Sequence, residues 1–274
     1  MSDPRAALEA IGALPDAEID IADAALQLAR VDAPSADWLD ARAHLSALAR
    51  EAVALAASID AVDLLAQAAA LAQLLAVRHG YVGDAETYDD PANANLIRVI
   101  ERRRGLPVAL GVLWLHVARA AGWAGQGVDF PGHFLVSLVG NRAAVFIDPF
   151  GRGRVLDAAD LHALLRRADP AIVARPEAVL PAMPVRGVLL RLQNNIRTRR
   201  QQAGDLAGAL ACAQDMLRIA PQEAGLWRET ALLHGELGEM TAALRCLGQY
   251  AALVPPEEAA RAQAAIQAMR SRLN

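Results

Sequence analysis

Apolar residues recur at helical spacing through the first hundred positions, then give way to short alternating runs between positions 125 and 148. Leu8, Ile11 and Leu14 begin the first amphipathic stretch. Ile19-Asp20-Ile21-Ala22 opens a second helix that runs to about Arg30. Ser35-Ala36-Asp37-Trp38 sets a capping residue ahead of a third periodic segment. Ala61 to Arg78 predicts a strong helix, and His79-Gly80 closes it with a glycine suited to a left-handed cap. From Gly80 to Asn95 the pattern breaks into GYVGDAETYDDPANAN, whose Gly, Asp, Asn and Pro content reads as a loop. Asn93 or Asn95 then caps a short helix through Arg103.

Gly105-Leu106-Pro107 starts the central helix, because proline suits a first turn whose N–H has no intrahelical partner. Val108, Leu110, Val112, Leu113, Leu115 and Val117 are apolar on nearly every face, so this helix is expected to be buried, and Gly122 ends it. Residues 125–130, 134–139 and 143–148 read as strands, with Gly140-Asn141 as a hairpin turn between the last two. Asp157 to Arg167 reads as a further helix, and residues 169–187, with four prolines, as an extended linker.

A repeat follows. An offset of 34 residues superposes Gly204 on Gly238, Ala209 on Ala243, Cys212 on Cys246 and Pro221 on Pro255. Trp227 and Ala231, and then Ala243, fall where the two helices of a tetratricopeptide unit need large and small packing residues. Two units are few for an independent solenoid, and Glu257–Arg272 is expected to cap them. The fold class expected is α+β and predominantly helical, a core with a small antiparallel sheet followed by an all-α repeat region. The divisions expected are 1–100 (helical part of the core), 101–168 (central helix and sheet), 169–187 (linker) and 188–274 (repeats with capping helix).

Composition narrows the partners. The net charge is -4, and residues 1–63 hold twelve acids against four Arg. Short clusters at Arg102–Arg104 and at Arg197, Arg199 and Arg200 lack interleaved aromatics, which argues against nucleic acid. The longest uncharged apolar stretches, Leu64–Val77 and Gly105–Ala118, are 14 residues each, too short to span a bilayer. Two cysteines do not make a disulfide framework, and the opening residues do not read as a signal peptide. The expectation is a cytoplasmic protein with a protein or peptide partner, no membrane, no cofactor and no metal; His116 on the central helix has no ligand spacing around it.

The chemistry concentrates at His133 and Asp148, one at the end of each of two successive strands. A carboxylate beside an imidazole fixes its tautomer and makes it a base. A base needs a nucleophile, and no Cys precedes Cys212. The strings GYVGD (80–84), YDDPANANL (88–96), RRRGLPVAL (102–110), FPGHFLV (130–136) and IDPFGRGRVL (147–156) resemble the SirB family. These are bacterial proteins that join a transglutaminase-like domain to C-terminal tetratricopeptide repeats. In active transglutaminase-like enzymes a Cys at the start of the central helix attacks a carbonyl, and the strand His accepts its proton. The matching turn here, around Pro107 and Val108, has no Cys, Ser or Thr. The resemblance therefore implies a non-catalytic relative in which His133 and Asp148 are a vestigial or structural pair, with Tyr88, Asn93, Arg103 and Gly105 as binding candidates in the core. Arg197 and Arg200 are the candidates in the repeats, favouring an acidic partner segment. The alternative is a hydrolase of peptidase or amidase class, with His133 and Asp148 activating water and the N–H groups after Pro107 holding an oxyanion.

Overall fold

The structure is a computed structural model that describes residues 3–141, 143–168 and 181–273, so most of the expected linker, 169–180, lies outside the described residues. Two compact units form: Pro15–Leu192, and Gln193–Asn274 together with Met1–Leu14. Helix α1 (Pro4–Gly12) therefore groups with the C-terminal helices, whereas the sequence reading places it in the core.

In the larger unit, α2 (Ile21–Asp32) and α3 (Trp38–Ala56) start on Asp20 and Asp37, whose carboxylates accept the free N–H groups of each first turn. The cap of the third segment is thus Asp37, within the expected stretch. Helix α4 (Leu64–Ala72) widens into a π-helical turn, Gln73–Arg78, and Gly80 takes φ 73° beyond it. Strand β1 (Val82–Gly83) follows, and Asn95 caps α5 (Leu96–Arg102) by accepting from the Arg98 N–H. Strand β2 (Arg104–Gly105) lies parallel to β1, pairing Gly83 with Gly105. Helix α6 (Pro107–Ala120) then runs buried on nearly every face.

The sheet comprises β3 (Gly125–Phe130), β4 (His133–Val139), β5 (Ala144–Asp148), β6 (Arg154–Leu156) and β7 (Ala182–Met183). Its order is β6-β5-β4-β3-β7, antiparallel throughout. The two short edge strands, β6 and β7, add to the three read from the sequence. Helix α6 packs on one face, where Phe134 lies across Gly111 and Leu115 and Ala118 approach Gly125. On the other face Val128, Phe130, Leu135 and Leu156 meet Leu161, Leu164 and Leu165 of α7 (Ala158–Ala168). Alternation along the strands accounts for both faces. No helix, among the described residues, is long and apolar enough to cross a membrane.

The chain enters α6 through a knot of local bonds. Arg103 takes the left-handed conformation at φ 58°, costly for a residue with a Cβ, and its carbonyl accepts the Val82 N–H at 3.0 Å. The Asp84 N–H donates to the Gly105 carbonyl, and the Leu106 N–H to the Asn93 carbonyl. Buried Asp84 accepts from the Thr87 N–H and hydroxyl and from Arg102 at 2.9 Å. The Thr87 N–H, foremost, holds its carboxyl below the ordinary range against the opposing push of burial. The Arg103 side chain donates to the Tyr81 hydroxyl and, at 2.6 Å, to His44 Nε2. His44 must be neutral to accept, and burial, with Arg103 and His79 nearby, lowers its pKa to about 4.

Helix α8 (Val185–Gln202) gives its residues up to Leu192 to the first unit; from Gln193 the second unit runs through α9 (Leu206–Ile219), α10 (Ala224–Glu236), α11 (Met240–Leu253) and α12 (Pro256–Leu273). Gly204 and Gly238, 34 residues apart, take the same left-handed turn at φ 78° and 75°. Helix α1 lies on α9 because Gly12 meets the Arg218 carbonyl without a Cβ between them, and Arg5 and Glu9 pair with Asp215 and Arg218.

Two predictions follow from these contacts. A Cβ at Gly111 would lie 2.2 Å from the Phe134 ring. Gly111→Ala gains helix propensity of about 1 kcal/mol but forces a clash of roughly 1–3 kcal/mol or more, so denaturant unfolding is expected to show net destabilisation. A variant as stable as the parent contradicts the α6–β4 packing. His44 has a folded pKa below its unfolded value, so the unfolded chain binds the extra proton and stability falls as pH drops from about 6.5 to about 4. His44→Gln, which keeps an acceptor and cannot protonate, should flatten that acid slope in thermal unfolding; an unchanged slope refutes the neutral His44–Arg103 bond.

Candidate functional site

Phe130-Pro131-Gly132-His133 closes the β3–β4 hairpin, with Phe130 paired to His133 and Gly132 at φ 69°. Pro at the second position and a positive-φ Gly at the third are the demands of a type II turn. The turn makes His133 the first residue of β4. The register Val136–Ile147, carried one step on, sets Leu135 opposite Asp148, so His133 reaches Asp148 on the diagonal. His133 Nε2 lies 2.9 Å from Asp148 Oδ1, and both side chains are largely buried. Asp148 Oδ1 also accepts the Phe150 N–H at 3.0 Å. Burial pushes the Asp148 carboxyl up, but the His133 bond and charge, with the Gly151 and Phe150 N–H groups, outweigh it and hold the pKa below its ordinary value. An ionised Asp148 can only accept, so the proton in this bond sits on His133 Nε2.

Phe150 connects this pair to the start of α6. Its ring lies so close over Gly83 that a Cβ there would be 2.4 Å away, and its carbonyl accepts the Gly83 N–H. The same ring meets His133 edge-on at 6.2 Å and Tyr88 at 6.0 Å. Gly83 in turn pairs with Gly105, two residues before α6. A Cβ at Gly105 would strike Val99 and approach the Asn93 carbonyl, so the glycine is required by close approach. The first turn of α6 presents Pro107, Val108 and Ala109, all buried. None of the three carries an O–H or S–H.

The predicted residues thus fall into three groups. His133, Asp148 and Tyr88 gather around Phe150. Asn93 and Gly105 brace the start of α6, with Asn93 Nδ2 donating to the Thr87 carbonyl at 2.6 Å. Arg103 sits with Tyr81 and His44. Arg197 and Arg200 belong to the repeat unit, where Arg197 binds Asn194 and Glu229, and Arg200 donates to the Gly208 carbonyl. Cys212 and Cys246 are buried packing residues, and burial pushes the Cys246 thiol up. His116 faces the Leu45 carbonyl at 3.0 Å. Among the described residues no group of three or more His, Cys, Asp and Glu is placed to hold a metal ion.

Arg191 of α8 is a residue the sequence reading missed. Its guanidinium donates to the His133 and Phe130 carbonyls, pairs with Asp129 and lies over the Phe134 ring. It clamps the turn that carries His133. Acceptors on the main chain leave no trace in a sequence, so no signal marked it. Cavities of about 570 Å³ open beside Trp123 and Met183 and beside Asp23 and His116; neither is lined by His133 or Asp148.

Known proteins bear on this arrangement. Residues 39–194, which include the whole His133–Asp148–Phe150 group, match the transglutaminase-like superfamily, and residues 196–274 match the tetratricopeptide repeat. A UPF0162 protein of Xylella fastidiosa (strain Temecula1) is 35% identical over 193 residues, 68% of each chain. A UPF0162 protein of Pseudomonas aeruginosa is 30% identical over 253 residues, 88% of this chain and 89% of that one. F-box only protein 21 of Mus musculus is 28% identical over 132 residues, 45% of this chain and 20% of that protein. With the helix, the sheet and the His–Asp pair inside the matched span, and the repeats directly after it, the chain belongs to the transglutaminase-like superfamily and carries tetratricopeptide repeats.

Proposed function

We propose that this chain is a non-catalytic transglutaminase-like protein of SirB type, acting as a protein-interaction or regulatory module through its core cleft and its helical repeats. The observation that carries this reading is the first turn of α6, where Pro107, Val108 and Ala109 are buried and carry no thiol or hydroxyl, in the turn that the family resemblance matches to the attacking Cys of active enzymes. The imidazole beside Asp148 therefore has no sulfur or hydroxyl of that turn to deprotonate. Tetratricopeptide repeats generally mediate contacts between proteins, and the repeat unit offers a groove of about 550 Å³. Trp227, Leu217, Gln214 and Gln249 line it, on α9, α10 and α11. Arg197 and Arg200 are engaged within the unit, so this groove, more than their charge, supports partner binding.

The intact His133–Asp148 bond favours a second reading, hydrolysis by activated water. The two separate on one variant. In the module reading His133 is structural, and His133→Ala leaves a largely buried carboxylate short of a donor at a cost of about 1–3 kcal/mol. Thermal unfolding is expected to drop by several degrees, with no ester or amide hydrolysis to lose. Unchanged melting with loss of a measurable hydrolysis establishes the enzyme instead. For the repeats, cross-linking in lysate with the full chain is expected to capture a partner that Gln214→Arg/Gln249→Arg, at two exposed groove positions, no longer captures. Equal capture by both forms removes the groove from the account.

A further inference from the structure

Three arginines stand in a row at the end of α5, and their partners differ. Arg102 pairs with Asp84 and Asp90, and Arg104 pairs with Glu86. Arg103 is held by neutral groups: one terminal nitrogen donates to both the Tyr81 hydroxyl and His44 Nε2, and the guanidinium lies 4.9 Å from the Tyr81 ring centre. Among the described residues no carboxylate comes within 4.0 Å of Arg103, and no acceptor engages its Nε or second terminal nitrogen. Neither nitrogen is among the fully buried polar atoms that lack a partner, and Arg103 as a whole is half-buried. Fixed on one edge and unpartnered on the other, the guanidinium has lost much of the side-chain entropy that binding would otherwise cost.

We propose that the open edge of Arg103 is a receptor for a single carboxylate, supplied by an aspartate or glutamate side chain of a protein partner. The planar fork of a guanidinium matches a carboxylate in bidentate fashion. A phosphate dianion would call for a second cation, and those nearby are committed: Arg78 to Glu51 at 3.0 Å, and Arg102 and Arg104 to their own acids. His44 cannot add a charge while its Nε2 accepts from Arg103. Tyr81 is fully buried and serves as the fixed wall, and its N–H donates to the Leu75 carbonyl of the π-helical turn at 3.0 Å. The inference rests on the interaction reading only for the source of the carboxylate; the receptor itself is a property of Tyr81, His44 and Arg103.

The test is a titration of the full chain, followed through the Arg103 Nε–Hε signal and the Tyr81 and His44 ring signals by NMR. The probe is an N-acetylated, C-amidated Gly-Glu-Gly peptide, with Gly-Gln-Gly as its neutral counterpart. The Glu peptide is expected to move the Arg103 signal to a plateau, and the Gln peptide to leave it in place. Arg103→Lys keeps the charge and loses the fork, so ring shifts on adding the Glu peptide should vanish. Tyr81→Phe, the milder variant, keeps the fork and loosens one anchor, raising the midpoint several-fold. Equal shifts from sodium chloride at matched ionic strength, or inorganic phosphate saturating at a tenfold lower concentration than the Glu peptide, overturn the assignment. Peptide binding at Arg103 without any captured protein partner counts against the interaction reading alone, whereas partner capture unaffected by Arg103→Lys counts against the receptor alone.

Discussion

Helix α6 is buried along nearly its whole length, and that burial decides what its first turn can contain. The start of a helix leaves N–H groups without intrahelical partners, and each one sealed from water needs an acceptor or must be removed. Pro107 removes one, and the Leu106 N–H finds the Asn93 carbonyl. The remainder of the turn is aliphatic. Around it, Gly83, Gly105 and Phe150 approach at distances that no side chain larger than hydrogen on those glycines would permit. The result is a closely packed junction at the start of α6.

The His133–Asp148 pair next to this junction is held by several separate contacts. A type II turn sets His133 at the head of β4, Arg191 grips that turn from α8, and Asp148 satisfies the ring while also accepting N–H groups from its own loop. Each element constrains the same few residues. The pair ties the end of β5 to the start of β4, and Phe150 carries that tie across to the strands ahead of α6.

Much of this was legible in the sequence where local rules act alone. Pro107 and Gly122 bracket α6, Asn95 caps α5, and the 34-residue offset returns as two left-handed glycine turns at Gly204 and Gly238. The parts that escaped depend on contacts distant in sequence. Two-residue strands such as β1, β2 and β7 are too short to show any alternation. His44, which no local pattern marks, proves to be the neutral acceptor of a guanidinium 59 residues away. Helix α1 has an amphipathic pattern that suits any apolar surface; Gly12 against the Arg218 carbonyl and two ion pairs join it to α9.

The proposed non-catalytic role requires that no residue near the start of α6 is acylated with help from His133. Intact-mass spectrometry after incubation with p-nitrophenyl acetate tests this directly, and a chain with no lysine gives little background acylation. The expected result is that residues 15–192 remain at their unmodified mass. An acetyl adduct mapped within those residues, and lost in His133→Ala, would contradict it.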